Sequence, residues 1–260
     1  MNARLTPVRL MIRSSLKVSI GLAAAFAALV AAGDDLAGAP SEPTAEFHFT
    51  RLYYNGGGRG WRSRYRTDYP EAEYHFTKGV RRLTSVDVGE QARLLEVIDD
   101  TIFDYPWLYA VEVGYWLLDD AEAERLREYL LRGGFLMIDD FHGSAEWADF
   151  MYSMQRVFPD RPVVEIVAGD EVLHVLYDLD QRIQIPGIAA LRYGVTYERD
   201  GVTPHWRGIY DDHGRLMVAI NFNMDLGDAW EHADDAFYPE PMTGLATRFA
   251  VNYVIYAMTH

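Results

Sequence analysis

Asp139, Asp140 and His142 place two carboxylates and an imidazole within four residues, directly after the apolar run Phe135 to Ile138. Such groups can ligate a divalent cation or serve as acid and base. The Asp-Asp pair alone singles out nothing, because six occur, beginning at Asp34, Asp99, Asp119, Asp139, Asp211 and Asp234. Position distinguishes this one: a doubly wound sheet binds its ligands beyond the carboxyl ends of its strands. The structural alternative, in which these side chains cap the next helix or hold the turn, stays open beside the catalytic or metal-binding one.

A second polar constellation runs from Asn221 to Glu231. Asn221, Asn223 and Asp225 alternate as in a calcium loop, but Leu226 replaces the glycine of the sixth position and His232 the glutamate of the twelfth. The segment reads instead as a turn rich in side-chain to backbone hydrogen bonds, with Asn223, Asp225, Asp228, Trp230 and Glu231 able to line a polar cleft. Glu112 follows a third apolar run and faces the same expected crevice. Arg62, Arg64 and Arg66 could receive a carboxylate or phosphate, or pair with the protein's own acids. The glycines just before them, Gly56 to Gly60, satisfy neither GxGxxG nor GxxxxGK[ST], because Trp61 stands where the last glycine would fall. They read as a turn. HExxH and GxSxG are absent too, and His174 and His205 have no ligand-like neighbours.

These residues need strands and helices to position them. Asp119 and Glu122 have capping-box spacing, Leu126, Tyr129 and Leu130 share a helical face, and Gly133 can take the left-handed C-cap. Phe135 to Ile138 is apolar without alternation, as in a strand covered on both faces. Upstream, Phe47 to Tyr54 alternates like a strand, and Asp68 with Glu71 suggests a capping box for a helix over Pro70 to Leu83, which makes Asp68 a cap. Leu94 to Ile98 and Trp107 to Val113 read as buried strands. Ser144 reads as the N-cap of a helix from Ala145 towards Phe158. Val163 to Val167 and Gly194 to Tyr197 read as short strands, and Ile183 to Ile188, with Pro186, as an edge or crossing segment. Trp206 to Tyr210 and Arg215 to Asn221 flank a four-residue loop and predict a β-hairpin. Leu245 to Met258 is apolar nearly all round, a buried closing helix. The fold class expected is α/β, a three-layer, doubly wound, mostly parallel sheet in a single domain over residues 47–260.

The amino terminus has a different character. Met1 to Lys17 holds Arg4, Arg9, Arg13 and Lys17 and no acid, and a 15-residue apolar run, Val18 to Ala32, follows. That run is shorter than the roughly 20 residues that span a bilayer, so residues 1–32 read as a signal peptide, cleaved after Ala32, or else as an anchor. Residues 33–46 read as a flexible tether. Without the first 32 residues the formal charge goes from -15 to -19, which disfavours nucleic acid and anionic lipid as partners. The chain has no cysteine, so packing alone must hold the core.

Thr67-Asp68-Tyr69-Pro70, Gly133-Gly134-Phe135 with Asp139-Asp140-Phe141, Asn221 to Trp230 and Val251-Asn252-Tyr253 together resemble the exported domain-of-unknown-function family 4159. The resemblance covers most of residues 47–260. It implies a flavodoxin-like sheet similar to class I glutamine amidotransferase domains, and a cell-envelope setting near von Willebrand type A proteins. It implies no activity, and the absence of cysteine excludes glutaminase chemistry. Two functions of different class follow. One is an exported binding module whose crevice receives a ligand or envelope partner without turnover and without a cofactor; the other is a divalent-metal-assisted hydrolase or lyase built on Asp139, Asp140 and His142.

Overall fold

A computed structural model describes residues 45–54 and 64–260. The amino-terminal segment, most of the tether, the glycine loop and Arg62 lie outside those residues. Among the described residues seven strands form one sheet: β1 (Thr50–Tyr53), β2 (Arg93–Glu96), β3 (Trp107–Val111), β4 (Phe135–Asp139), β5 (Val164–Glu165), β6 (His205–Tyr210) and β7 (Leu216–Phe222). Their spatial order is β2-β1-β3-β4-β7-β6-β5. From β2 through β7 the pairs are parallel, whereas β6 runs antiparallel to β7 and β5 antiparallel to β6.

Alternation along the central strands sends side chains to two cores. Trp107, Tyr109, Val111, Phe135 and Met137 pack beneath α1 (Glu71–Leu83), α5 (Leu226–Glu231) and α6 (Glu240–Thr259). Leu108, Ala110, Leu136, Ile138, Val218 and Ile220 pack beneath α2 (Asp120–Leu131) and α3 (Gly143–Val157). The result is the expected three-layer, flavodoxin-like α/β fold. On the first face Phe49 is ringed by Trp107, Tyr109, Phe76 and Trp230 at centroid distances of 5.1, 5.3, 5.7 and 6.4 Å. Each such aromatic pair adds about 0.5–1.5 kcal/mol beyond its burial, which makes this the firm floor under the strand ends.

The helix signals around β4 hold in detail. Asp119 and Glu122 make the reciprocal capping box of α2, and Gly133 takes φ 110° after its last turn. The hairpin of β6 and β7 and the closing helix α6 form as expected, α6 starting five residues earlier, at Glu240. Three expectations change. β2 is an edge strand whose residues alternate between half-buried and exposed, so it is not the buried strand its leucines suggest. Gly194 to Tyr197 forms no strand, because the N–H groups of Tyr193, Gly194 and Val195 bond back to Ala190 and Leu191 and close the short helix α4 (Ile188–Arg192). The third is α3, which starts at Gly143 with His142 at its N-cap in place of Ser144; Ile183 to Ile188 crosses without strand pairing, one of the two forms expected of it. Among the described residues no helix is long and apolar enough to cross a membrane.

Candidate functional site

Parallel strands all point their carboxyl ends the same way, so the loops after β3, β4 and β7 meet. Backbone hydrogen bonds join them: the Glu112 N–H donates to the Asp139 carbonyl at 3.2 Å, Asp140 to Met224 at 3.2 Å, and Asn223 to Phe141 at 3.1 Å. From β1, the Tyr54 hydroxyl donates to the Val111 and Glu112 carbonyls at 2.7 and 2.9 Å. The segment leading into α1 brings in Asp68. Four residues of this crevice take left-handed backbone although none is glycine: Asp68 (φ 65°), Glu112 (φ 54°), Asp140 (φ 49°) and Asn223 (φ 62°). Such conformations are uncommon outside glycine and collect where a chain must aim a side chain out of a tight turn.

Asp139, fully buried, turns back into the protein. Its Oδ2 accepts from the N–H groups of Leu226 and Gly227 at 2.8 and 2.9 Å and from the Tyr109 hydroxyl at 3.2 Å, so it anchors the start of α5. Asp140 faces the crevice, with Oδ1 at 3.2 Å from His142 Nε2. The imidazole of His142 does not cap α3; its backbone N–H instead donates to Glu146 at 2.6 Å, and Nδ1 finds no partner. Glu146 in turn pairs with Arg199.

The Asn221 segment divides its labour. Asn221 donates to the Ile138 carbonyl and accepts from the Tyr253 hydroxyl, both at 3.0 Å, and so clips β4, β7 and α6 together. Asn223 accepts from Gly143 N–H at 2.9 Å and donates to the Thr203 carbonyl at 2.7 Å. Both are structural ties, and no calcium-loop geometry results. Asp225 caps α5 by accepting from Asp228 N–H at 2.8 Å through Oδ1, and Asp228 Oδ2 accepts from Ile188 N–H at 2.6 Å, while Asp225 Oδ2 stays outside the cap and faces Gly187. Trp230, offered by the sequence as a cleft residue, lies in the core at 1% exposure, 4.7 Å from Phe76. Arg64 pairs with Glu112 and stacks 4.6 Å over the Tyr115 ring.

The residue whose role sequence reading misassigned is Asp68. Helix α1 is capped at Pro70, not at Asp68, so the Asp68 to Glu71 spacing is coincidental and the carboxylate is released to the crevice. Pro70, at the helix boundary, is the signal that could have shown this. Donor oxygens of Asp68, Asp140 and Asp225 lie within 4.8 Å of one another. Arg51, Glu146, Glu198 and Arg199 also escaped notice in the sequence, because only the fold brings them near.

Electrostatics follow from this crowding. Burial first, and then the neighbouring carboxylates Asp140 and Asp228, hold Asp68 well above the ordinary aspartate range. Burial and Asp228 do the same to Asp140; burial, Asp140 and Asp228 do so to Asp225. Asp139 rises to about 8 through burial and Asp140, against the hydrogen bonds that favour its anion. Glu112 also reaches about 8, since burial and Asp140 outweigh its partner Arg64. Burial lowers the proton affinity of His142, despite the acids around it.

Residues 48–258 match the profile of a family described as a domain of unknown function, DUF4159. The chain belongs to this family. The DUF4159 match takes in every strand and every crevice residue described above, and stops two residues short of the last. Among curated proteins, none matches the chain.

Proposed function

We propose that this DUF4159 chain is an exported cell-envelope domain that binds, without glutaminase chemistry, a positively charged ligand or a basic segment of an envelope protein in its acidic crevice. One observation carries the reading: Asp68, Asp140 and Asp225 are buried side by side with oxygens within 4.8 Å of one another, where ionised carboxylates repel, while the nearby Arg51, Arg64 and Arg199 are paired with Glu73, Glu112 and Glu146. A ligand bearing positive charge relieves that repulsion. Export is supported by the basic start and short apolar run of residues 1–32. Von Willebrand type A proteins are the partners the family resemblance suggests.

Equilibrium binding of the full chain to Lys/Arg-rich and to Asp/Glu-rich peptides tests this. Saturable, salt-sensitive binding of the basic set, weakened in Asp228→Asn, is the expected result. Equal binding of both sets, or of neither, overturns it.

A metal-assisted hydrolase or lyase is the second reading, favoured by the 3.2 Å contact of His142 with Asp140 and the partnerless Nδ1. Asp139 supports it less than its sequence position suggests, being committed to α5. Turnover of phosphate or carboxylic esters in the presence of Mn²⁺ that vanishes in folded His142→Gln would establish it; turnover that survives the change rejects it.

A further inference from the structure

We infer that Asp68, Asp140 and Asp225 form a seat for one oxygen-preferring divalent cation. The inference rests on the reading of the crevice as a place for positive charge, and names what fills it.

Spacing is the first support. Metal to oxygen distances are about 2.0–2.1 Å for Mg²⁺ and about 2.3–2.6 Å for Ca²⁺, so oxygens on opposite sides of one ion stand about 4 to 5 Å apart. The donor oxygens of the three aspartates lie within 4.8 Å of one another and come from three separate parts of the chain. An ion among them would tie the approach to α1, the end of β4 and the start of α5 together.

The second support is independent of spacing. Asp68 is 8% exposed, and its Oδ2 accepts no hydrogen bond. Buried carboxylate oxygens are ordinarily satisfied, and one that is not, beside two other acids, is placed for a cation.

The third is the room made for these carboxylates. A Cβ at Gly227 would stand 2.1 Å from Asp68 Oδ2, and one at Gly187 would stand 2.7 Å from Asp225 Oδ2. Neither glycine has the left-handed backbone that would itself require the residue, so space for an oxygen is what the missing side chain provides. Behind the triad, His142 steadies Asp140 through Nε2, and Asp139 fixes the first N–H groups of α5 next to Asp225. Orienting contacts of this kind accompany metal ligands. Three carboxylates leave other coordination positions of the ion to water or to a ligand.

The test is Mn²⁺ binding to the full chain, followed by titration calorimetry and by loss of the free-ion paramagnetic resonance signal, with Mg²⁺ and Ca²⁺ as competitors. Wild type is expected to take up one Mn²⁺ per chain. Asp68→Asn and Asp225→Asn should each weaken uptake more than tenfold, with near-ultraviolet dichroism showing the fold retained. Asp178→Asn, at an exposed acid on the surface, should leave uptake unchanged. The inference is overturned if wild type takes up no stoichiometric ion, or if Asp68→Asn and Asp225→Asn both bind as wild type does. If basic peptides bind equally well in EDTA while no ion is taken up, the cation seat fails and the charge-binding crevice stands. If Mn²⁺ binds stoichiometrically and peptides do not, the reverse holds.

Discussion

Arg51 and Glu73 form an ion pair in the interior, at 1% and 5% side-chain exposure, while Arg51 Nη1 donates to the carbonyls of Tyr65 and Thr67 at 3.0 and 2.8 Å. One buried cation therefore fixes helix α1 and the segment that delivers Asp68. Removing one partner strands a buried charge, so Arg51→Met should cost about 3–5 kcal/mol in denaturant unfolding. The double change Arg51→Met with Glu73→Leu should recover much of that loss. Additive effects in the double-mutant cycle would mean that the pair does not couple.

Gly227→Ala probes the crowding beside Asp68. The new methyl would meet Asp68 Oδ2 at 2.1 Å and the Tyr109 hydroxyl oxygen at 2.9 Å, so the site must shift. A destabilisation of about 1–3 kcal/mol is expected, as for overpacking elsewhere. Thermal or urea unfolding of the variant within a few tenths of a kcal/mol of wild type would show that the Asp68 carboxylate is free to swing away.

For His142→Gln the expected outcome is partial loss on two readouts. Apo stability should fall by about 1–3 kcal/mol, because Asp140 loses a buried partner. Mn²⁺ affinity should weaken by about 10–100-fold, as when an orienting contact to a ligand is removed, and should not vanish. Complete loss of Mn²⁺ binding in a stably folded His142→Gln protein would make the imidazole itself a ligand.

The pH dependence of the metal-free protein has a definite sign. Asp139 and Glu112 bind their protons more tightly folded than unfolded, with folded values of about 8. Groups raised in this way contribute stability at low pH that is lost as pH climbs from the unfolded carboxylate range, near 4, through the folded value. Melting temperature in EDTA should therefore fall between pH 5 and pH 9. A flat or rising profile over that interval would mean that the carboxylates are better compensated than their surroundings indicate.

Much of this layout is legible in the sequence because local signals agree with one another around β4. A capping box, a left-handed glycine and an apolar run bounded by two aspartates fix helix, strand and crevice together. The hairpin and α6 are legible for the same reason. Asp68 was hidden because its spacing to Glu71 imitates a cap, and only the start of α1 at Pro70 reveals the coincidence. Trp230 was misplaced because a six-residue helix, α5, rotates it away from its polar neighbours and into the aromatic core. Glu146 and Arg199 stand 53 residues apart in the chain, and no local pattern could have joined them.

The two margins of the sheet limit how this domain can engage another chain. β5 is two residues long, and its Glu165 is paired with His205 and Arg207; β2 is four residues long and begins and ends on Arg93 and Glu96. Short, charged borders of this kind resist the addition of a foreign strand, which protects against edge-to-edge aggregation. They also make β-augmentation an unfavourable mode of recognition here. Contact with a partner then depends on side chains and on the shape of the loops after β3, β4 and β7, and selectivity becomes a matter of charge placement rather than of backbone pairing.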